Sequence, residues 1–470
     1  MVNFASRASP VAFAALVAGS ALALAPLYVV GQMAGGALFV AGAALWPVGA
    51  LGAVIVTLPF YLFQRQIGGQ SVSPTEAALL LAALGIAARM LWDRRGSGNV
   101  LRQIGFGRTH DAAASAIGPR PPERVDGWRR FDLPVALFLA SALLSFVATE
   151  YLRLSLRELR TLIVEPLLFL FLLRAVVRAP ADALRLIDVL AAVTTLVAVV
   201  AVAQFFIGGS VTDVQGVRRV QGTYTSPNHL ALLLGRTIPF LLAAAWVLPH
   251  GRPVRMAAGA VCCIALLMTF SLGGWLATGV AIAVVVGLLG GRRWLAALLL
   301  AAVLVASIAV TLAPVERLAG RFDPGSGTAL VRVQLWSAGT ELIRDDPLFG
   351  IGLDNFLYRY SELLPPSSGM EPNLSHPHNV ILQFWLQLGL AGVVALTWIL
   401  VAVGLATRRS VGPSTDPVRR ALAVGIAAST ANFVAHGFID NGYFLVDMAC
   451  IFWLMVAGAA ALARNGGQPD

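Results

Sequence analysis

Apolar stretches of about 20 residues follow one another along most of this 470-residue chain, each long enough to cross a bilayer as a helix. They fall near 12–30, 36–63, 75–92, 133–149, 158–177, 185–207, 228–248, 255–271, 273–290, 293–313, 378–406, 419–438 and 443–463. Lipid offers the backbone no hydrogen bonds, so each stretch must satisfy its own as a helix. Composition agrees: 58% of residues are hydrophobic and 12% charged, where a soluble domain carries roughly 25% charged residues. A soluble enzyme and a disordered chain are both excluded. The expected fold is all-α, a polytopic transmembrane helical bundle of about 12–14 spans built as a single integral membrane domain over 1–470. The range in that count comes from 12–63, where Pro26, Pro47 and Pro59 permit two or three crossings. Ala-Leu-Ala at 23–25 imitates a signal-peptidase site, but later spans also carry insertion signals, so 12–30 is read as a retained span.

Net charge is +10, and every one of the 34 basic residues is Arg. Arg408, Arg409, Arg419 and Arg420 crowd one short loop, and Arg252 and Arg255 another. Arg292 and Arg293 precede the span at 293, Arg174, Arg178 and Arg185 flank 178–184, and 93–132 holds eight Arg against five acids. All lie on one side if the spans alternate, and the positive-inside rule makes that side, including the loop 93–132, cytoplasmic. The segment 314–377 then lies outside, with five Arg against eight acids. Arg153, Arg157 and Arg160 fall on the outer side, against the rule. Basic loops facing anionic lipid account for the charge; no basic stripe interleaved with aromatics points to nucleic acid. Cys262, Cys263 and Cys450 sit in apolar runs without metal-ligand spacing and read as small core residues.

The outer segment has its own pattern. Val331, Leu335, Ala338 and Leu342 recur at helical spacing after Thr328, predicting a short amphipathic helix that ends before Pro347. Pro365 through Gly369 reads as a turn, and Gly350-Ile-Gly352 as a turn with close backbone approach. At Ser375-His376-Pro377-His378-Asn379 the segment becomes a membrane helix. Pro377 suits a first helical turn, which puts His378 at the positive end of a helix dipole, where a neutral imidazole is favoured as a base requires. His376, beyond the proline, is expected to matter less. Asn379, Gln383 and Gln387 form a polar stripe that must face protein or water. Ser226-Pro227-Asn228 opens a second outward helix, just after Arg218 and Arg219. Helix N-termini and Arg together suit a polyanion such as pyrophosphate, although an interfacial Arg pair snorkelling to headgroups would look the same. Arg332 on the amphipathic helix, with Arg317 and Arg321 beside it, supplies further outer cations. His436 and Asp440, four apart, could pair on one helix face. Asp345 and Asp346 are adjacent and would not share a helix face, so no outward carboxylate pair suits a divalent metal and a metal-free mechanism is expected.

Three stretches carry a resemblance to the O-antigen ligase / O-antigen polymerase (Wzy_C-like) family of membrane glycosyltransferases. His378-Asn379, nine residues, Gly389, two residues and Gly392 resemble the family's loop-to-helix signature. Arg219-Val-Gln-Gly222-Thr with Ser226-Pro227-Asn228 is similar to its RxxGT…PN segment, and Arg332, Trp336, Pro347, Gly350, Gly352 and Phe356 to its R…W…PxxGxGxxxF run. His436-Gly-Phe-Ile-Asp440 also resembles it, so the likeness spans about 218–440. One departure is that Ser271-Leu272-Gly273-Gly274 lacks the Arg often found there in the family.

The resemblance implies a GT-C-like fold with a large periplasmic loop at 314–377, in the bacterial inner membrane, its site facing the periplasm. It implies inverting, metal-independent transfer of a glycan from undecaprenyl pyrophosphate to an acceptor hydroxyl, on lipid A-core of lipopolysaccharide for a ligase or on a growing chain for an O-antigen or exopolysaccharide polymerase. In that reading His378 and Asn379 are catalytic, Arg219 and Arg332 bind the pyrophosphate with Arg218 or Arg321 as substitutes, and Asn228, His436 and Asp440 support. No cofactor is expected; the partners are the lipid-linked donor, the glycan or lipid acceptor and membrane lipids. A multi-span transporter or flippase is the competing class, but polar residues at the outer face rather than at mid-span favour an enzyme.

Overall fold

The computed structural model describes residues 10–24, 29–67, 70–94, 127–208, 211–214, 217–300, 303, 327–363 and 374–463. The loop 93–132 is thus described only at its two ends, and most of the span expected at 293–313, together with Arg317 and Arg321, lies outside the described residues. The chain begins with α1 (Pro10–Leu24), α2 (Val29–Leu45), α3 (Pro47–Thr57) and α4 (Pro74–Arg94). Then come α5 (Arg129–Leu144), α6 (Leu152–Glu158), α7 (Glu165–Val176), α8 (Pro180–Ile207), α9 (Pro227–Val247), α10 (Arg252–Met268) and α11 (Leu272–Leu289). The last group is α12 (Gly327–Asp345), the single turn α13 (Phe356–Arg359), α14 (Val380–Thr407), α15 (Pro417–Gly437) and α16 (Val446–Ala463). Two small antiparallel hairpins, β1 (Arg65–Ile67) with β2 (Gln70–Val72) and β3 (Val211–Val214) with β4 (Val217–Val220), are the only strands among the described residues.

Seven helices among the described residues are long and apolar enough to cross a membrane, so the protein is a polytopic all-α bundle. α9 and α16 are buried on nearly every side and form its centre. α5, α8 and α14 instead expose Leu133, Val199, Val394 and Val401 outward, as lipid-facing helices do. In the N-terminal region, Trp46 leaves the helical range at φ −139° and ψ 76° ahead of Pro47, which breaks α2 from α3. Hydrogen bonds from Trp46 N to Gly42 O and from Ala50 N to Trp46 O still bridge the break.

Ion pairs sort the helix ends into two groups. At one end Arg157 meets Asp354 at 2.7 Å, Arg359 meets Glu150 at 2.6 Å and Arg160 meets Glu76 at 2.5 Å. Arg157 and Arg160, which broke the charge rule in the sequence, are therefore matched by carboxylates, one of them from the 314–377 segment. At the other end Arg174 pairs with Asp132, Arg185 with Asp182 at 2.8 Å and Arg255 with Asp188 at 3.2 Å.

The predicted amphipathic helix is α12. Leu335, Ala338 and Leu342 pack on Ile351, Phe356, Tyr360 and Leu386 in a small core of their own. The segment after it is stitched to α14 by its backbone. Ile351 N–H donates to Leu386 O at 2.7 Å, and Leu390 N–H donates to Leu348 O at 3.2 Å. This docking is possible because α14 breaks at Gly389, with φ 66° and ψ −171°. A Cβ at Gly389 would lie 2.0 Å from Leu348 O. Gly389→Ala should thus cost about 1–3 kcal/mol from backbone strain alone, with the clash added. It should lower the melting temperature of the purified protein, whereas Gly404→Ala on the same helix, with open space at its Cβ, should not.

Candidate active site

The site begins where the outer segment re-enters α14. The sequence suggested that Pro377 opens this helix; instead Asn379 is the N-cap, its Oδ1 accepting from Ile381 N at 3.0 Å and Leu382 N at 3.1 Å. That work occupies Asn379, whose Nδ2 donates to Phe438 O at 3.4 Å; none of these contacts touches the His378 ring. The cap-forming Asx geometry is the physical reason the helix starts three residues later than expected. His378 sits just before the cap with φ 50°, a left-handed conformation costing a non-glycine residue roughly 1–2 kcal/mol. Its ring Nδ1 lies 3.0 Å from Asp440 Oδ1.

Asp440 was expected to face His436 along one helix. α15 ends at Gly437, and Asp440 N–H turns back to donate to His436 O at 3.0 Å, which frees the carboxylate to reach His378. Asn441 N–H also donates to Asp440 Oδ1, at 2.8 Å. Burial would raise the Asp440 carboxyl, but the hydrogen bond from His378 and the nearby His378, His376 and His436 rings outweigh it and hold it well below the usual carboxylate range. An ionised carboxylate can only accept, so His378 Nδ1 carries the proton and Nε2 is left with its lone pair. Trp336 of α12 donates from Nε1 to Pro377 O at 2.9 Å, tying the loop to the helix that bears Arg332. Arg332 lies one turn before Trp336, and its charge reaches His436. Arg332 Nε is buried with no hydrogen-bond partner among the described residues, and so is His436 Nδ1.

Arg219 is held at the start of α9. Its Nη2 donates to Asn228 Oδ1 at 2.9 Å and its Nε to Thr269 O at 2.8 Å. Ser226 caps α9 as the sequence suggested, its Oγ accepting from Asn228 N at 3.2 Å. Arg218 is not a substitute for Arg219. Neighbouring residues on β4 point to opposite faces, and Arg218 lies over the Phe205 ring at 5.0 Å. The sequence reading missed four residues. His229 Nε2 meets Asp447 Oδ1 at 2.9 Å, and Tyr224 donates its hydroxyl to Asp447 Oδ2 at 2.8 Å, a second His–Asp pair that clamps α9 to α16. His229 directly follows the Ser226-Pro227-Asn228 motif, but nothing in the sequence pairs it with an acid 218 residues away. Arg236, 1% exposed, lies deeper in α9 and donates to Gly442 O at 3.2 Å beneath the Phe433 ring.

His376, His378 and Asp440 each present a ligand atom within 4.8 Å of the others, the one group among the described residues able to hold a metal ion. The 3.0 Å contact between His378 Nδ1 and Asp440 Oδ1 is a hydrogen-bond geometry, in which a proton occupies the space between them. Asp354, in the same outer segment, is engaged with Arg157.

The sequence profile of the O-antigen ligase family (Wzy_C) matches residues 257–397. That stretch of the chain is similar to O-antigen ligases. No curated protein matches the chain. The matched stretch holds Arg332, His376, His378 and Asn379, while Arg219 and Asn228 precede it and His436 and Asp440 follow it. The site is therefore completed by helices outside the matched stretch, in keeping with the wider likeness over 218–440.

Within the matched stretch, burial and then the His378 ring draw His376 down to about 4, against the upward pull of Asp440. An unfolded histidine titrates near 6.5. The folded value is depressed, so this contribution to stability is full above about 6.5 and is lost as pH falls through about 4. Acidification across that window should lower the melting temperature, and His376→Asn should flatten that part of the profile.

Proposed function

We propose that the protein is a membrane glycosyltransferase of O-antigen ligase type, transferring a glycan from a polyprenyl pyrophosphate such as undecaprenyl pyrophosphate to an acceptor hydroxyl. The observation that carries this reading is the His378–Asp440 hydrogen bond at 3.0 Å, on a loop that Trp336 ties to the helix bearing Arg332. An alcohol needs a base, and His378 Nε2 is the available lone pair. Asp440 holds the tautomer and stabilises the imidazolium that forms. In the transfer, the acceptor O–H bond breaks and its proton passes to His378 Nε2. The acceptor oxygen forms a bond to the anomeric carbon as the carbon–oxygen bond to phosphate breaks, and the pyrophosphate departs with that electron pair. Attack from the face opposite the leaving group inverts the anomeric centre.

Arg332 and Arg219 are assigned to the pyrophosphate. Fixed guanidinium groups aimed at the leaving group stabilise the charge that develops on it without reorganising, and they bind phosphate oxygens in pairs. Several residues of the quoted motifs have scaffold roles that support this assignment by subtraction: Trp336 anchors the loop, Gly350 and Gly389 permit docking, and Ser226 caps a helix. The Arg-rich end opposite the site is assigned to the cytoplasm and the site to the periplasmic face, on the positive-inside rule. There an inner-membrane enzyme meets a flipped donor and a lipid A-core or growing-chain acceptor.

His378→Ala should lower turnover by about 10²–10⁴-fold while the protein still inserts, measured as glycan transfer in membrane vesicles. Full activity in that variant would remove the base from this mechanism. Arg219→Lys and Arg332→Lys should each weaken transfer, since Lys offers only a point charge. Transfer should also survive EDTA. Loss that magnesium, manganese or zinc restores would instead assign His376, His378 and Asp440 to a metal ion.

A further inference from the structure

His376 lies two residues before His378, across Pro377, and was expected to matter less than its neighbour. The geometry argues otherwise. His376 Nδ1 accepts the backbone N–H of His378 at 3.3 Å. The two rings meet edge to face, with centroids 4.2 Å apart. The hydrogen bond falls on the very residue whose backbone is left-handed, at φ 50°. Such a conformation persists in a non-glycine residue only where surrounding contacts enforce it. Three contacts enforce this one. Trp336 holds the Pro377 carbonyl, Asn379 caps α14, and His376 engages His378 itself. Without the last, the His378 amide has no protein partner at this bend and the backbone is released toward commoner conformations. Its side chain would then swing away from Asp440.

We propose that His376 is a positioning residue, which acts as the hydrogen-bond acceptor that locks the His378 backbone and so delivers the His378 ring to Asp440. The inference rests on the reading of His378 as the base. An imidazole Nδ1 accepts only when it bears no proton; the depressed titration of His376 keeps the ring neutral at neutral pH, and the contact from His378 N–H then places its one proton on Nε2. His376 needs no contact with either substrate for this role.

The test uses the full-length protein in membrane vesicles with three variants: His376→Ala, His376→Asn and His378→Ala. Asn places an amide oxygen near the Nδ1 position and can accept the same N–H; Ala cannot. His376→Ala should lower kcat by about 10–100-fold, the order expected of a misplaced catalytic group, with KM for the lipid-linked donor unchanged. His376→Asn should recover most of that loss. An activity-independent readout is carbethoxylation of His378 by diethyl pyrocarbonate, followed by mass spectrometry of the 374–388 region. Its rate should change several-fold in His376→Ala and return to the wild-type rate in His376→Asn. Equal impairment of the Ala and Asn variants, or a wild-type His378 labelling rate in His376→Ala, would overturn the proposal. Activity retained in His378→Ala, with the labelling pattern as expected, would instead sink the base assignment and leave the positioning contact standing.

Discussion

Lipid cannot hydrogen-bond a peptide group, and the rest of this protein follows from that constraint. Helices must carry the backbone through the hydrocarbon, so irregular backbone and charged side chains collect at their ends. The candidate site is built from such ends: the cap of α14, the turn after α15, the start of α9 and the first turn of α16. Helix ends are also where backbone groups lack intrahelical partners. Asn379, Ser226 and Asn441 fill that need with side-chain oxygens, and the chain at these caps is fixed closely enough to aim its neighbours.

The 348–351 stretch shows how an aqueous segment is made rigid against a membrane helix. It does not rest on α14 by side-chain packing alone. It enters a gap opened at Gly389 and exchanges backbone hydrogen bonds there, as strands do. Gly350, at φ 71°, provides the matching space on the other side, where a Cβ would lie 2.3 Å from Leu386 O. α12 and its Arg332 are positioned through this joint and through Trp336.

Much of the fold was legible because spans and loops obey one-dimensional rules. Apolar run length located the helices, and the Ser226 cap and the face of α12 followed from spacing. The buried stripe of Gln383 and Gln387, each 2% exposed, was expected from their polarity in an apolar span. Residue types named His378 and the two arginines as candidates. What could not be read was pairing. Spacing of four joined His436 to Asp440, whereas a helix end at Gly437 sends Asp440 to a residue 62 positions earlier. Asp447, an acid within the apolar run at 443–463, is the fully buried partner of His229 and Tyr224, and no local spacing links them. Asn379 was credited with chemistry because it adjoins His378, yet its oxygen is spent on the helix. Arg236 was overlooked because an Arg in mid-span gives no local sign of the carbonyls and ring that receive it.

The His378–Asp440 pair also bears on the order of synthesis. Translation delivers the arginines first and the histidines next, while Asp440 emerges only with the final turn that leads into α16. Asp447, which anchors His229, emerges later still. A nascent chain with most of its spans already in the bilayer therefore holds an unpartnered imidazole whose tautomer and direction nothing fixes. The His378–Asp440 contact can form only once the turn between α15 and α16 has been made.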